Sequence, residues 1–315
     1  MSYRLMPVPA HAVGAHHGRG GWPAVHSQLA AAQSDSAPVL LDDFLDLNIK
    51  KNECNKHYHT PWVGIIHQPA TINSPIRGDA GQVWDRMLRY AHPQLFDKCK
   101  GFIVLSTNLA GAVVKQAPTI HVHVLRHPTV YQPQFAPPIA RRTLLQAGFY
   151  LRDTRAIFKV QPVDGWVYAR LAPQADWHLP RDKELMHHWG GLEINPQVVD
   201  LPRQSDDDYD DLFATSVVLT YLFGASANNV VLECMARRTP IIVNKLPAVV
   251  EYLGADYPLY IPGESHLECL HHVKTLHEWV TDEKILAAQH HLCQLPKLEI
   301  PDFVNEVSAF CRSVV

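Results

Sequence analysis

The sequence has no stretch that approaches about 18 consecutive apolar residues, so no helix is expected to cross a membrane. Its opening segment, MSYRLMPVPAHAVGAHHGRGG, lacks the apolar core of a secretory leader, and none is expected there. Peripheral membrane contact through a short surface stays open. Cysteine is sparse: Cys54, Cys99, Cys234, Cys269, Cys293 and Cys311 show no paired spacing and no CxxC. Neither a disulfide framework nor a zinc knuckle is supported, and a reducing, cytoplasmic compartment is expected. No Lys/Arg block occurs and the formal net charge is −3, so no nucleic-acid partner is expected. Internal repeats and low-complexity tracts are absent as well.

What is present describes a globular α/β protein. At 315 residues, with 47% apolar and 19% charged content, the chain can bury two ordinary cores. Short apolar runs bounded by turn residues read as strands at 37–45, 61–69, 101–107 and 119–129. Helical spacing falls between them, at 80–96 and 108–116. Strand, helix, strand is the pattern of a parallel sheet with crossover helices. Prolines 128, 133, 137 and 138 then break it, which marks 127–142 as an extended linker. The alternation restarts at 143–151 and continues through 217–222, 239–244 and 257–262, with helices near 266–279 and 282–294 and a last amphipathic segment. The expected organisation is two Rossmann-like parallel-sheet domains, 1–140 and 141–315, with a cleft between them.

Five stretches carry chemistry. HHGRGGW holds His16, His17, Gly18, Gly20 and Gly21; such glycines let a backbone approach a ligand, and a plain surface turn is the competing reading. HVHVLRH places His121, His123 and His127 on one strand face, but no acidic or cysteine partner lies at metal spacing, so no metal site is expected. SDDDYDDL reads as a solvated helix start rather than a magnesium site. In AGFYLRDTRAIFKV a strand ends at Gly148, and Arg152, Arg155 and Lys159 follow at spacings that would set all three on one helix face. Cations beyond the carboxyl end of a strand suit a diphosphate, although a solvated basic face has the same pattern. The fifth stretch is GASANNVVLECMARR, a small-residue loop leading into an almost wholly apolar helix. Asn228 is a good N-cap, and the amides near Asn228, Asn229 and Val230 could meet phosphate. Glu233 is the one carboxylate within the apolar run. It either forms a core ion pair with Arg237 or Arg238, or accepts hydrogen bonds from a ligand such as a ribose.

The segment NNVVLECMARRTPIIVNKLPAVVEYLG resembles the donor-binding region of GT-B glycosyltransferases, especially the large retaining, nucleotide-sugar-dependent family. The matching positions are Glu233, Met235–Ala236, Thr239–Ile242, and Glu251 with Gly254. Upstream, HHGRGGW, GIIHQP with His67, FIVLSTNL with Ser106, and LLQAGFYLRDTRAIFKV follow the family's order. The resemblance implies transfer of a sugar from a nucleotide diphosphate donor to a glycan or sugar hydroxyl, with no metal and no cofactor beyond that co-substrate. It assigns Glu233 to the ribose, with Gly148, Arg152, Lys159 and Asn228–Val230 on the diphosphate. His67, His17 and His16 become the catalytic candidates, and Gly18, Gly20 and Gly21 face the acceptor or sugar. The family's first glutamate, eight residues before the second, is here Ala225, and RHPT stands where an asparagine–glycine turn is usual. Retention of anomeric configuration therefore does not carry over. A nucleotide-sugar 2-epimerase of the same fold would consume donor without an acceptor. A noncatalytic nucleotide- or glycan-binding module would release no sugar at all.

Overall fold

The computed structural model describes residues 3–7, 22–50, 58–72, 93–130, 142–148, 150–171 and 195–314. His16, His17, Gly18, Gly20 and Gly21, most of the expected 80–96 helix and linker residues 131–141 lie outside them. Two parallel sheets carry the fold. The first contains β1 (Arg4–Leu5), β2 (Leu40–Asp42), β3 (Trp62–Ile66), β4 (Cys99–Val104) and β5 (Val122–Val124), side by side in chain order. Strict two-residue alternation divides its side chains between two cores. Leu40, Trp62, Ile66, Phe102 and Val104 pack on one face with Leu45 and Ile49 of α2 (Leu45–Lys50) and Leu109 and Val113 of α3 (Thr107–Gln116). Leu41, Val63, Ile65, Ile103 and Leu105 pack on the other with Val25 and Leu29 of α1 (Trp22–Ala31).

The second sheet contains β6 (Thr143–Gln146), β7 (Val167–Leu171), β8 (Val198–Leu201), β9 (Val217–Thr220), β10 (Ile241–Asn244) and β11 (Tyr260–Ile261). Their spatial order is β11-β10-β9-β6-β7-β8, parallel throughout. After β6 the chain leaves toward β7, and after β9 toward β10 on the opposite side. The β6/β9 boundary is therefore the topological switch point, where open α/β sheets form their crevice. Around this sheet lie α4 (Asp206–Ala214), α5 (Asn229–Arg237), α6 (Pro247–Leu253), α7 (His266–Lys274), α8 (Leu276–Trp279) and α9 (Asp282–Gln294). The acidic run is the first turn of α4, capped by Ser205, where carboxylates complement the helix dipole. The final helix, α10 (Ile300–Ser313), returns to the first sheet and buries Ile300, Phe303, Val304, Val307 and Cys311 there.

One local expectation fails. Arg152, Arg155 and Lys159 do not share a helix face. Just before them Leu151 takes a left-handed conformation with φ 56°, so no helix runs on from β6. Arg152 instead forms an isolated antiparallel bridge with Leu222. Asp153 turns the chain by accepting the Arg155 amide at 3.0 Å, and only a short 3-10 turn, Ala156–Lys159, follows. Gln146 fixes this turn from below, accepting from the Ile157 amide at 2.8 Å and donating to the Asp153 carbonyl at 2.6 Å.

Candidate functional site

The carboxyl ends of both sheets converge on a cavity of about 240 Å³. From the first sheet come Trp22, Phe44, His67, Leu105 and His127; from the second come Arg152 and the loop 224–229. The two sides also touch directly. Tyr150 donates its hydroxyl to Gln68 Oε1 at 2.7 Å, and Gly224 passes so close to Thr71 that a Cβ would fall 2.5 Å from its carbonyl.

Arg152 is the centre of the second-domain side. Its Nη2 donates to Asn228 Oδ1 at 3.1 Å, which ties the β6 loop to the N-terminus of α5. Its Nε is buried and has no hydrogen-bond partner. Burial lowers its pKa, opposed by the charge of nearby Glu233. Guanidinium remains charged in any protein environment, so a cation stands against the cavity with donor capacity unspent. Gly148, with φ +75°, makes the seat: any Cβ there would collide with the guanidinium.

Asn228 caps α5 by accepting from Val230 N at 3.0 Å and Val231 N at 3.3 Å. The Val230 amide is thus directed at Asn228, while the side chains of Asn228 and Asn229 line the cavity. Lys159 is half-buried on the 3-10 turn and is not among the lining residues; burial brings its pKa down to about 8.

Around Glu233, Arg237 sends its guanidinium to Asp210, with Nε at 3.1 Å, and its Nη1 reaches the backbone carbonyl of Glu233 at 3.4 Å. Arg238 ends the helix in a left-handed cap. The Glu233 carboxylate accepts from the Tyr209 hydroxyl at 2.6 Å. Burial and the Glu233 charge push the Tyr209 pKa well above its usual range, so this hydroxyl stays a donor. Glu233 sits just over one turn into α5, behind the residues that face the cavity.

The first-domain side is aromatic. His67 stacks on Phe44 at 4.3 Å and meets Trp22 edge-on at 4.3 Å. Its Nε2 lies 2.8 Å from the Asp43 carbonyl, which can only accept, so Nε2 carries a proton. Below it, buried Asp46 accepts the His67 amide at 2.7 Å. His127 was visible in the sequence only as part of a strand face. It lies beyond the end of β5, buried, 6.5 Å from His67 and 5.2 Å from Trp22. Its Nδ1 is 2.5 Å from the Pro128 carbonyl, which leaves the lone pair on Nε2. Burial and the neighbouring His67 push its pKa down to about 3. Trp22, Tyr209 and Ser226 also went unread, because each acquires its role from residues distant in sequence.

No sequence-family profile matches the chain, and no curated protein matches it in sequence. Solved structures do. The chain is similar to Anabaena HepE in complex with UDP and glucose, at 13% identity and TM-score 0.62, over 98% of this chain and 84% of that one. The fold is GT-B. Sucrose-phosphate synthase from Thermosynechococcus elongatus follows at 12% identity and TM-score 0.60, over 92% of this chain and 77% of that one. The pneumococcal O-GlcNAc transferase GtfA, solved with UDP and GlcNAc, gives 11% identity and TM-score 0.61, over 92% of this chain and 59% of that one. In this GT-B chain Glu251, a motif position by resemblance, reaches across the cleft to cap α3. Its two carboxylate oxygens accept from Thr107 N at 2.6 Å and Asn108 N at 2.8 Å. No described helix is long and apolar enough to cross a membrane.

Proposed function

We propose that this chain is a glycosyltransferase that moves a sugar from a nucleoside diphosphate donor to a hydroxyl of a glycan or sugar acceptor. One observation carries the reading: half-buried Arg152, its buried Nε without a partner, faces a cavity at the switch point of a GT-B fold. A buried donor left unpaired is costly, and a diphosphate is the anion that this position suits. As the bond to the sugar breaks, negative charge grows on the diphosphate, and a guanidinium already in place stabilises it without reorganisation. Lys159 supplies a second cation and Glu233 the ribose contact. The proposal assigns this neutralisation to side chains and calls for no metal or further cofactor.

His67 is the first-domain candidate for orienting the reacting hydroxyl or the transferred sugar. In an inverting reaction a base would remove the acceptor proton, and His67, His16 or His17 fills that role. Gly18, Gly20 and Gly21 keep their sequence-based assignment to the sugar or acceptor side. Buried Cys234, Cys269 and Cys311, all free thiols, fit a reducing cytoplasmic setting. A thermal-shift screen of nucleoside diphosphates and nucleotide sugars tests the reading. One nucleotide should raise the melting temperature by mass action, and its sugar conjugate should yield free nucleotide only when an acceptor is added. Silence across UDP, GDP, ADP and their sugars refutes it; donor consumption without acceptor points to epimerisation.

A further inference from the structure

Two adjacent residues of α4 clasp α5, and each holds a different group. Tyr209 donates its hydroxyl to Glu233 Oε2 at 2.6 Å. Asp210, the next residue, takes the guanidinium of Arg237, with Nε at 3.1 Å. Glu233 and Arg237 stand four apart on α5 and so share a face. The two bonds together fix the rotation of α5 about its axis and the direction of the buried carboxylate. Tyr209 is itself steadied: its ring stacks on Phe213, one turn on along α4 and fully buried, at 4.4 Å. Its proton is steadied too, because burial and the Glu233 charge hold the hydroxyl well above its usual pKa. The charges that act most on the Arg152 guanidinium are those of Glu233 and then Tyr209, so the three groups form one row from α4 to the cavity wall. In the sequence this tyrosine sits inside SDDDYDDL, which reads only as a solvated helix start.

We infer that Tyr209 is a positioning residue: its hydroxyl aims the Glu233 carboxylate at the ribose of the donor, and through that bond the site selects ribonucleotides over deoxyribonucleotides. The inference rests on the glycosyltransferase reading and on the ribose contact it gives to Glu233. A carboxylate offers about four lone-pair positions, so it can serve a tyrosine and a ribose at once. Glutamate is a flexible side chain, and its terminal torsion is broad. A phenol fixed by its own stack removes that freedom before the nucleotide arrives, and the ordering cost is then not charged to binding. Tyr209 touches no substrate in this scheme. It acts on the ribose only through Glu233.

The experiment compares affinities by calorimetry on the full chain. First the nucleotide is fixed from UDP, GDP and ADP. Then it is compared with its 2′-deoxy form in wild type, Tyr209→Phe and Asp210→Asn. Tyr209→Phe keeps the ring on Phe213 and removes the hydroxyl alone. Asp210→Asn loosens the same helix pair without touching the Glu233 carboxylate, and is the control for a merely structural role. Wild type should prefer the ribonucleotide by about tenfold or more. Tyr209→Phe should lose about three- to tenfold in ribonucleotide affinity and little for the deoxy form, so the preference shrinks. Asp210→Asn should melt lower and keep the wild-type preference. An undiminished preference in Tyr209→Phe overturns the inference, and so does an equal loss of preference in Asp210→Asn. A Tyr209→Phe chain that fails to fold even with saturating nucleotide assigns the hydroxyl to the core and overturns it as well. The wild-type comparison needs no variant: if both forms bind alike, the ribose contact and its positioning fall while the glycosyltransferase reading stands. If none of the three nucleotides binds, that reading falls and takes the role of Tyr209 with it.

Discussion

The two walls of the cavity are built from opposite materials. The second-domain wall has a half-buried guanidinium, a helix N-terminus and, one turn behind, a buried carboxylate. The first-domain wall has two imidazoles, an indole and a phenyl ring, with one ring nitrogen of each imidazole bound to a backbone carbonyl. The difference separates the two demands of the proposed reaction. Charge on a departing diphosphate needs fixed positive potential, whereas a sugar ring needs apolar faces and a few directed hydrogen bonds. Placing each on a separate sheet lets one wall vary for the sugar without disturbing the other.

The largest effect should come from Glu233. If its carboxylate binds both ribose hydroxyls, Glu233→Ala removes two charge-assisted bonds of roughly 1.5–3 kcal/mol each, or about two to four orders of magnitude in affinity. The loss should be the same for nucleoside and nucleoside diphosphate, since both carry the ribose. A purely structural Glu233, serving Tyr209, predicts an early melt without ligand and normal donor affinity in the folded fraction. Titration alongside ligand-free melting separates the two.

Arg152→Ala should cost less and be selective: about ten- to a hundredfold in nucleoside diphosphate affinity, and little for the nucleoside. Equal losses for both would dissolve the contrast between the walls. Gly148→Ala should approach the same phenotype, because the added methyl displaces the guanidinium and strains a backbone at φ +75°.

Much of this was legible in the sequence, for a physical reason. Buried parallel strands are continuous apolar runs, so WVGII, FIV, VVLT and IIVN announced β3, β4, β9 and β10. Cap chemistry is local, so Asn228 could be read directly. The basic trio leaves its helical spacing because Arg152 bridges Leu222 and Asp153 takes the Arg155 amide, contacts that composition does not announce. The first-domain wall was least legible. Trp22, His67 and His127 come together from three separate segments, and nothing in the residues near His127 signals that Pro128 fixes its tautomer or that Tyr252 holds its amide. Glu251 was read as part of a donor motif; its bonds to α3 span the cleft and have no trace in local spacing.

A pH experiment sharpens the picture of the first-domain wall. Asp46 lies under His67, and burial pushes its pKa up to about 7, against the amides of His67 and Gln68 that lower it. Its unfolded value is about 3.9. The folded chain therefore binds more protons between about pH 4 and 7, and Asp46 costs stability as pH rises through that window. Asp42, at about 6, has the same sign. His127 has the opposite effect: at about 3 folded and about 6.5 unfolded, it costs stability as pH falls below 6.5. Asp46→Asn should remove its own slope, gaining on the order of 2 kcal/mol on wild type between pH 5 and 7.5 in chemical denaturation. Parallel stability curves for variant and wild type would show that Asp46 is ionised in the folded protein throughout.

The smallest effect concerns what holds the two walls at their distance. Glu251 accepts two backbone amides at the start of α3, and the adjacent Tyr252 donates to Leu105 O at 2.7 Å while accepting the His127 amide at 2.8 Å. Helix α6 therefore docks the second domain onto the first next to a residue of the sugar wall. Glu251→Ala leaves Tyr252 in place and removes one carboxylate from a helix N-terminus, an interaction worth on the order of 1 kcal/mol. That is too little to unfold a domain, yet comparable to the free energy that separates two domain orientations. The ligand-free variant should therefore show a larger radius of gyration by small-angle scattering than wild type. Saturating nucleotide sugar, which bridges both walls, should bring variant and wild type to the same closed value. Identical radii for both proteins, with and without nucleotide sugar, would mean that Glu251 caps a helix and nothing more, and that packing alone sets the separation of the walls.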